Sequence, residues 1–537
     1  MRIEPVQIQK QTKLMRDYRN QHKSILEFFD YGMNDYASRL QELKQRTYKR
    51  EELVEVLYHL NQSWGAPEKT FRNIERLKDD QSVVVVGGQQ AGVLTGPLYS
   101  VNKVISIIQL ARQQEKDLGI PVVPLFWIAG EDHDFEEVNH IYLQVKNMMK
   151  KFKVGQRLLD KRSVSKIELE EPIILDWLES IFEQLAETEH TKDIYSLIVD
   201  SLHKSTTYVD FFARLIFLLF EEDGIVLMDS GNEKIRRLES DYFVEMITKQ
   251  QEISDGVCHA YKQLTSNDYS IALDVAPENG NLFYHKDEER ILLTKNQEGN
   301  WVGKQLEVIF TTDELMEMAK KTPEKLSNNV VTRPLMQDLL LPTLAFIGGP
   351  GEISYWAVLK PAFHAMEMKM PPVVPRLSFT YMDRKTEKTL NKYHISSALA
   401  LNGEISGIRK AWFKEKVNPP IEETVEELKK KITEAHEPLR TIAHQVRADI
   451  RDLAEKNLDY LIRDVAYLEK RMVRALEEQY HKELNEFTLL ENMLYPGGLQ
   501  ERVWNPLPFI NAYGLHFFQE ISAEDCSFEE EHYVVYI

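Results

Sequence analysis

Along roughly the first 384 residues, unbroken apolar runs alternate with glycine-rich turns and helical patterns. SVVVVGG (82–88) leads into SVNKVISIIQLARQQ, and PVVPLFWIAG (121–130) into EDHDFEEVNHI. GIVLMDSGN (224–232) leads into EKIRRLESDYFVEMI, and LPTLAFIGGPGE (341–352) into ISYWAVLKPAFHAM. A run such as VVVV lacks the alternation of a half-exposed strand and fits one buried on both faces. Strand, turn and helix repeated in this way predict an α/β fold with a doubly wound parallel sheet, its ligands at the carboxyl ends of the strands. Two polar stretches, near 144–206 and 254–325, exceed ordinary βα connections and predict inserted subdomains.

The period changes near Glu423. Apolar or small residues recur at Val425, Leu428, Ile432, Ala435, Leu439, Ile442 and Val446, then from Ile450 through Leu453, Leu461, Val465, Leu468 and Met472 to Ala475. Spacings of three and four predict a coiled coil, with a stutter at Val446–Ile450 and a kink or split at Pro438. About 60 helical residues would reach ~90 Å, so the seam must meet a neighbouring helix or a second subunit. Dimerisation is the expectation. The expected domains are a core over 1–390, a helical coiled coil over 391–485, and a tail over 486–537 that packs back on the body and closes in an edge strand, FEEEHYVVYI.

With 43% hydrophobic and 10% aromatic residues, the 537-residue chain has ample material for a core. Its net charge of −19 argues against nucleic acid or anionic lipid as partner. Only Cys258 and Cys526 are present, which excludes a disulfide scaffold or a cysteine-rich structural zinc site and suits a reducing cytoplasm. MRIEPVQIQKQTKLMRDYRNQ lacks the apolar core of a signal peptide, and FFARLIFLLF (211–220) is too short to span a membrane.

Four clusters carry candidate chemistry. In VVVVGGQQAGVLTGPLYSVNK (83–103) the glycines fit neither the GxxxxGK[ST] loop nor GxGxxG, which counts against NAD. A strand–turn–helix entry remains, with Gly88, Gln89, Gln90, Thr95, Gly96, Tyr99, Asn102 and Lys103 as candidate donors to a substrate or phosphate. Close packing by the glycines is the bland alternative. GEDHD places Glu131, Asp132, His133 and Asp134 at a strand end, a pattern suited to acid–base work. No HExxH or cysteine partner supports a metal there. SNNVVTRPLMQD offers Asn329, Thr332 and Arg333. GGPGEISYW offers Gly348, Gly349, Glu352, Tyr355 and Trp356. Arg333 and Arg376 are candidate carboxylate or phosphate clamps, with structural salt bridges as the alternative. In YMDRKTEK, Arg384, Lys385 and Lys388 follow the last core strand, where a solvated charged face is equally in keeping.

GGQQAGVLTGPLYSVNK, WIAGEDHDFEEVNHI, NVVTRPLMQDLLLPTLAFIGGPGEISYW and YPGGLQERVWNP, taken together and in this order, resemble the bacillithiol biosynthesis family BshC, the cysteine-adding enzyme, from end to end. The resemblance implies a Rossmann-like core of the nucleotidyltransferase kind with inserted connecting segments and a coiled coil supporting a dimer. It implies a ligase that joins cysteine to glucosaminyl malate. Since an amine and a free carboxylate do not condense unaided in water, ATP with Mg²⁺ is the expected activator. Asp132, His133, Asp134 and Arg333 are the expected catalytic groups. Related cysteine ligases and class I aminoacyl-tRNA synthetases carry a His-x-Gly-His motif where QQAGVLTGPLY stands here, and a mobile lysine loop where Arg384, Lys385 and Lys388 stand. Both patterns are departed from. A metal-dependent phosphohydrolase built on GEDHD and a noncatalytic coiled-coil scaffold are the rival readings.

Overall fold

The computed structural model describes residues 1–158, 160–417 and 420–537. They form two compact units. The first comprises Met1–Val145, Met149–Thr380 and Gln500–Val535, and the second Lys146–Met148, Tyr381–Leu499 and Tyr536–Ile537.

Ten strands of the first unit matter here: β1 (Val83–Gln89), β2 (Val122–Ile128), β3 (Val226–Asp229), β4 (Asn279–Lys286), β5 (Glu289–Lys295), β6 (Trp301–Gly303), β7 (Ile309–Phe310), β8 (Leu326–Asn328), β9 (Thr343–Gly348) and β10 (Val373–Pro375). Five of them make the central sheet in the order β10-β9-β1-β2-β3, every neighbour parallel. From β1 the chain winds outward through β2 to β3 at one edge, then returns beside β1 as β9 and winds to β10 at the other. That is the doubly wound order, with its switch point between β1 and β9. The Val83–Val86 side chains and all seven of β2 are buried, as two covered faces require. The 254–325 region carries the helix Gln250–Ser266 and most of a second, antiparallel sheet ordered β7-β6-β5-β4-β8. The 144–206 region carries a hairpin arm and the helices Glu171–Phe182 and Thr191–His203.

Four helices flank the site: α1 (Leu98–Leu118), α2 (Glu233–Leu238), α3 (Thr332–Leu340) and α4 (Pro350–Trp356). The α1 helix buries Leu98, Val101, Val104, Ile105, Ile107 and Ile108 against the sheet and stops where Gly119 takes φ 66° and donates to the Glu115 carbonyl. The final strand, His532–Tyr536, is not the edge that its charged approach suggests. It lies between Arg2–Val6 and Phe379–Met382 in a three-stranded sheet.

The second unit corrects the single long helix. α5 (Ile421–Val446) and α6 (Ala448–Gln479) are separate, and the break falls at Arg447, whose φ of −169° and ψ of 152° are extended. Pro438 stays inside α5, where it forgoes only one backbone bond. The two helices fold into an antiparallel hairpin whose register is set by Lys429–Glu469, His436–Asn457 and Arg440–Glu455. Val425, Ala443 and Leu458 are buried, while Leu439, Ile442, Val446, Leu453 and Leu468 remain exposed. An aromatic cluster of Tyr393, Trp412, Tyr480 and Phe487 packs this unit. Among the described residues no helix is long and apolar enough to cross a membrane.

Candidate functional site

A cavity of about 350 Å³ opens at the switch point, over the carboxyl ends of β1 and β9. Gly88 and Gln89 bound it from β1 and Trp127 from β2, Gln90, Asp132, Gly349 and Arg376 from the segments just beyond β1, β2, β9 and β10, and Glu352 from α4. Arg333 of α3 and Arg502 of the C-terminal segment complete its charged wall. Trp127 is buried, and its indole N–H has no hydrogen-bond partner among the described residues.

Three cations of this wall are held by carboxylates. The Lys103 ammonium, buried on α1, donates to Glu352 at 2.5 Å, to the Gly88 carbonyl at 2.6 Å and to Gln89 at 3.3 Å. Burial lowers its pKa, and Glu352 opposes that shift. Arg376 grips Glu501 with two parallel bonds of 2.6 and 2.7 Å, and Asn102 donates to the same carboxylate at 2.8 Å. Arg333 donates through Nε to Glu131 at 2.7 Å and through Nη2 to Asp132 at 3.0 Å.

GEDHD does not act as one constellation. Glu131 points inward, fully buried, and bonds Arg236 of α2 as well as Arg333. Burial pushes its pKa up, but Arg236, Arg333 and Arg290 outweigh burial and hold it at about 2. Asp132 reaches the cavity, where its Oδ1 accepts from Arg290 and Arg333, each at 3.0 Å. His133 turns toward the Phe283 ring, and burial and then Arg290 lower its pKa. Asp134 is exposed, and neither it nor His133 lines the cavity. Among the described residues no group of three or more His, Cys, Asp or Glu is arranged to hold a metal ion.

Family models match the whole fold in two parts. "Bacillithiol biosynthesis BshC, N-terminal Rossmann-like domain" covers residues 1–377, and "Bacillithiol biosynthesis BshC, C-terminal coiled-coil domain" covers residues 379–537. The chain belongs to the BshC family. Curated relatives agree over their full length. The chain is 46% identical over 543 residues to a protein of Oceanobacillus iheyensis, with 100% of each chain covered. It is 40% identical over 542 residues to one of Geobacillus sp. and 39% over 540 residues to one of Bacillus licheniformis, again with 100% of each covered. All three carry the name "Putative cysteine ligase BshC".

In this BshC chain the opening glycines lie inside the strand rather than in the turn. A Cβ on Gly87 would press on the Ile347 carbonyl and the Ile107 side chain, and one on Gly88 on Trp127, so these two serve close strand and helix approach. The turn is Gly92–Gly96. There Leu94, Thr95 and Gly96 take φ of 48°, 68° and 72° in succession. Left-handed backbone costs a non-glycine residue ~1–2 kcal/mol. Burial of Leu94 against Leu215, Leu219 and Leu507 and two bonds from the Asn505 amide, to the Leu94 and Gly96 carbonyls at 2.9 and 2.7 Å, offset it. Thr95 faces that apolar wall and not the cavity.

The anion seat expected at the start of α1 is partly occupied by protein. Leu98 N–H donates to the Trp504 carbonyl at 2.8 Å. At α4, Gly349 N–H donates to Glu352 at 2.7 Å. Asn329 and Thr332 are helix-entry residues. Asn329 Oδ1 accepts from the Val331 and Thr332 amides, and Thr332 Oγ1 donates to the Asn281 carbonyl at 2.6 Å. Trp356 stacks in the core on Phe346 at 4.2 Å, whereas Tyr355 lines the cavity, and burial followed by Glu352 raises its phenol pKa. Asn102 and Gly348 stand behind the lining, Asn102 orienting Glu501. Arg384, Lys385 and Lys388 belong to the second unit, on the helix Arg384–Lys392 that Asp383 caps, and are not among the lining residues.

Four residues stand outside the candidate site read from the sequence. Glu137 and His140 line an adjoining cavity, and Glu501 and Arg502 come from about 400 residues beyond β1. Gln89 Nε2 donates to Gln90 Oε1 at 2.5 Å, and Gln90 Nε2 donates to Glu137 at 3.1 Å. The glutamine pair therefore links Lys103 to Glu137 through neutral amides. Burial, then Asp134 and Asp132, raise the Glu137 pKa.

Proposed function

We propose that this chain is a carbon–nitrogen ligase of bacillithiol biosynthesis that joins the carboxyl group of cysteine to the amine of glucosaminyl malate. The observation that carries the reading is the switch-point cavity, with its converging paired cations, in a chain that matches the BshC family from end to end. Arg333 is locked by Glu131 and Asp132 through Nε and Nη2, and its Nη1 has no protein partner among the described residues. A guanidinium fixed in this way stabilises negative charge as it develops on the acyl oxygen, with no cost of reorganisation. Trp127 lines the same space, and its buried indole N–H has no partner among the described residues.

The chemistry needs an activated cysteine carboxyl, with ATP and Mg²⁺ as the proposed activators. When bound, ATP supplies the leaving group. The donors at both glycine turns argue against a phosphate seat like that of a P-loop, because the Leu98 and Gly349 amides are engaged and Lys103 is paired. No step is therefore routed through those turns. In the acyl transfer the amine nitrogen forms a bond to the acyl carbon. The leaving group departs with the electron pair of the C–O bond, and the ammonium proton passes to a base. Asp132 Oδ1 is occupied by two guanidiniums, and His133 is not among the lining residues. Glu137, with its raised pKa, fits the task better.

We further propose a homodimer through the outer face of the α5–α6 hairpin, where Ile442 and Leu453 stand near one another across the register at 58% and 61% exposure. A reducing cytoplasm accords with Cys258 and Cys526, both free and buried. Lys103→Met and Arg333→Gln distinguish a ligase from a scaffold. In cells lacking the native protein, a ligase so altered yields at least 100-fold less bacillithiol. A scaffold with the same substitutions sustains thiol production.

A further inference from the structure

The switch-point cavity does not end at the glutamine pair. A second cavity of about 380 Å³ adjoins it, bounded by Gly96, Glu137, His140, Tyr142 and Asn505. Gln89, Gln90, Tyr99 and Arg502 line both spaces. They form a common junction whose floor is neutral amide and whose one cation is Arg502.

Charge pairing sets Arg502 apart. Lys103 is held by Glu352, Arg333 by Glu131 and Asp132, and Arg376 by Glu501. Arg502 has no hydrogen bond or ion pair among the described residues, although it is the neighbour of the tightly held Glu501. Its backbone is nonetheless fixed. Glu501 is locked by Arg376 and Asn102, the Trp504 carbonyl accepts from Leu98 N–H, and Asn505 clamps the left-handed turn. Three anchored neighbours present the guanidinium of the fourth residue at the mouth of both cavities. Glu137, which accepts from the Gln90 amide at 3.1 Å, and His140 also line the second cavity, where a ligand amine would find a carboxylate. An unpaired guanidinium that shares a cavity with a carboxylate complements a molecule that carries both an anionic group and an amine. A planar fork with five N–H donors suits a carboxylate in particular.

We infer that Arg502 is the specificity-determining residue of the acceptor subsite, binding a carboxylate of the acceptor substrate at the junction so that its amine faces Glu137. The assignment rests on the ligase reading, in which the acceptor is an amino sugar bearing the malate dicarboxylate. The second cavity is then the acceptor chamber, and the switch-point cavity takes the acyl donor.

Calorimetric titration without turnover tests this. Wild type, Arg502→Gln and Arg502→Lys are each titrated with glucosaminyl malate, with L-malate, and with methyl glucosaminide, which has the amine but no carboxylate. Arg502→Gln should weaken glucosaminyl malate and L-malate about ten- to hundredfold and leave methyl glucosaminide within twofold. Arg502→Lys, which retains charge but not the fork, should fall between. Unchanged thermal melting confirms that the variants are folded. Equal affinity of wild type and Arg502→Gln for the carboxylate ligands overturns the assignment. So does a uniform loss for all three ligands, or wild-type protein that binds neither carboxylate ligand. The ligase reading is judged separately, by whether wild type forms the amide product.

Discussion

Glu131 sits fully buried among Arg236, Arg333 and Arg290, with Glu239 completing the charge balance around Arg236. Removing its charge leaves the buried arginine cluster with Glu239 and Asp132 alone as counter-ions, so Glu131→Gln should destabilise the protein by about 3–5 kcal/mol in denaturant titration. The sign of its pH dependence follows from a folded pKa of about 2 against an ordinary 4.5. Its contribution is fully present above pH 4.5 and is lost as pH falls toward 2. Glu137 has the opposite shift. Its proton is retained to higher pH, so kcat should rise with pH across a step above the ordinary 4.5. Glu137→Gln should lower kcat by roughly 10²- to 10⁴-fold and abolish that step, with KM for cysteine unchanged. A wild-type profile in Glu137→Gln would show that another group takes the proton. GEDHD was legible as a charged strand end, but not as four separate destinations. Once β2 stops at Ile128, no period governs direction. One carboxylate turned to a buried arginine, the next to the cavity, and the histidine to Phe283.

At the scale of elements, the β1–α1 connection is held from outside itself. Its glycine count suggested a phosphate loop because glycine marks permissive backbone without saying why the backbone needs it. Gly87 and Gly88 answer to strand spacing, and the left-handed turn falls on Leu94 and Thr95, residues that carry no sequence signal for it. The clamp that permits the turn, Asn505, is about 400 residues away, beyond what local pattern can reveal. Asn505→Ala should cost about 1–3 kcal/mol through two unpaired buried carbonyls, measured as a lower midpoint in urea at an unchanged slope. No change in midpoint would mean that the turn is held by Leu94 packing alone. The strands themselves, and their parallel arrangement, were legible because burial on two faces leaves no room for polar alternation. In the second unit the heptad period was legible, and the stutter at Val446–Ile450 brackets the break. The backbone is extended at Arg447, inside that stutter, and not at Pro438, where a split was expected.

For the whole molecule, the order β10-β9-β1-β2-β3 places the turns after β1 and β9 on opposite sides of one crevice, which explains why residues 250 positions apart share a wall. Rossmann-like architecture alone does not fix the chemistry. Among the described residues that line the cavity, Lys103, Arg333 and Arg376 are paired with carboxylates and Arg502 is not. The hairpin adds an assembly prediction. Ile442→Glu with Leu453→Glu should convert a dimer to a folded monomer in sedimentation equilibrium, with the mass halved and the helical signal retained. A wild-type monomer at micromolar concentration would contradict it. The ligase reading itself is tested by incubating purified wild-type protein with cysteine, glucosaminyl malate, ATP and Mg²⁺, then following product mass and nucleotide together. The amide product should appear with one nucleotide consumed per bond formed, and Arg333→Gln should slow both by about 10²-fold or more. Absence of both product and nucleotide turnover from folded, substrate-binding protein would contradict it.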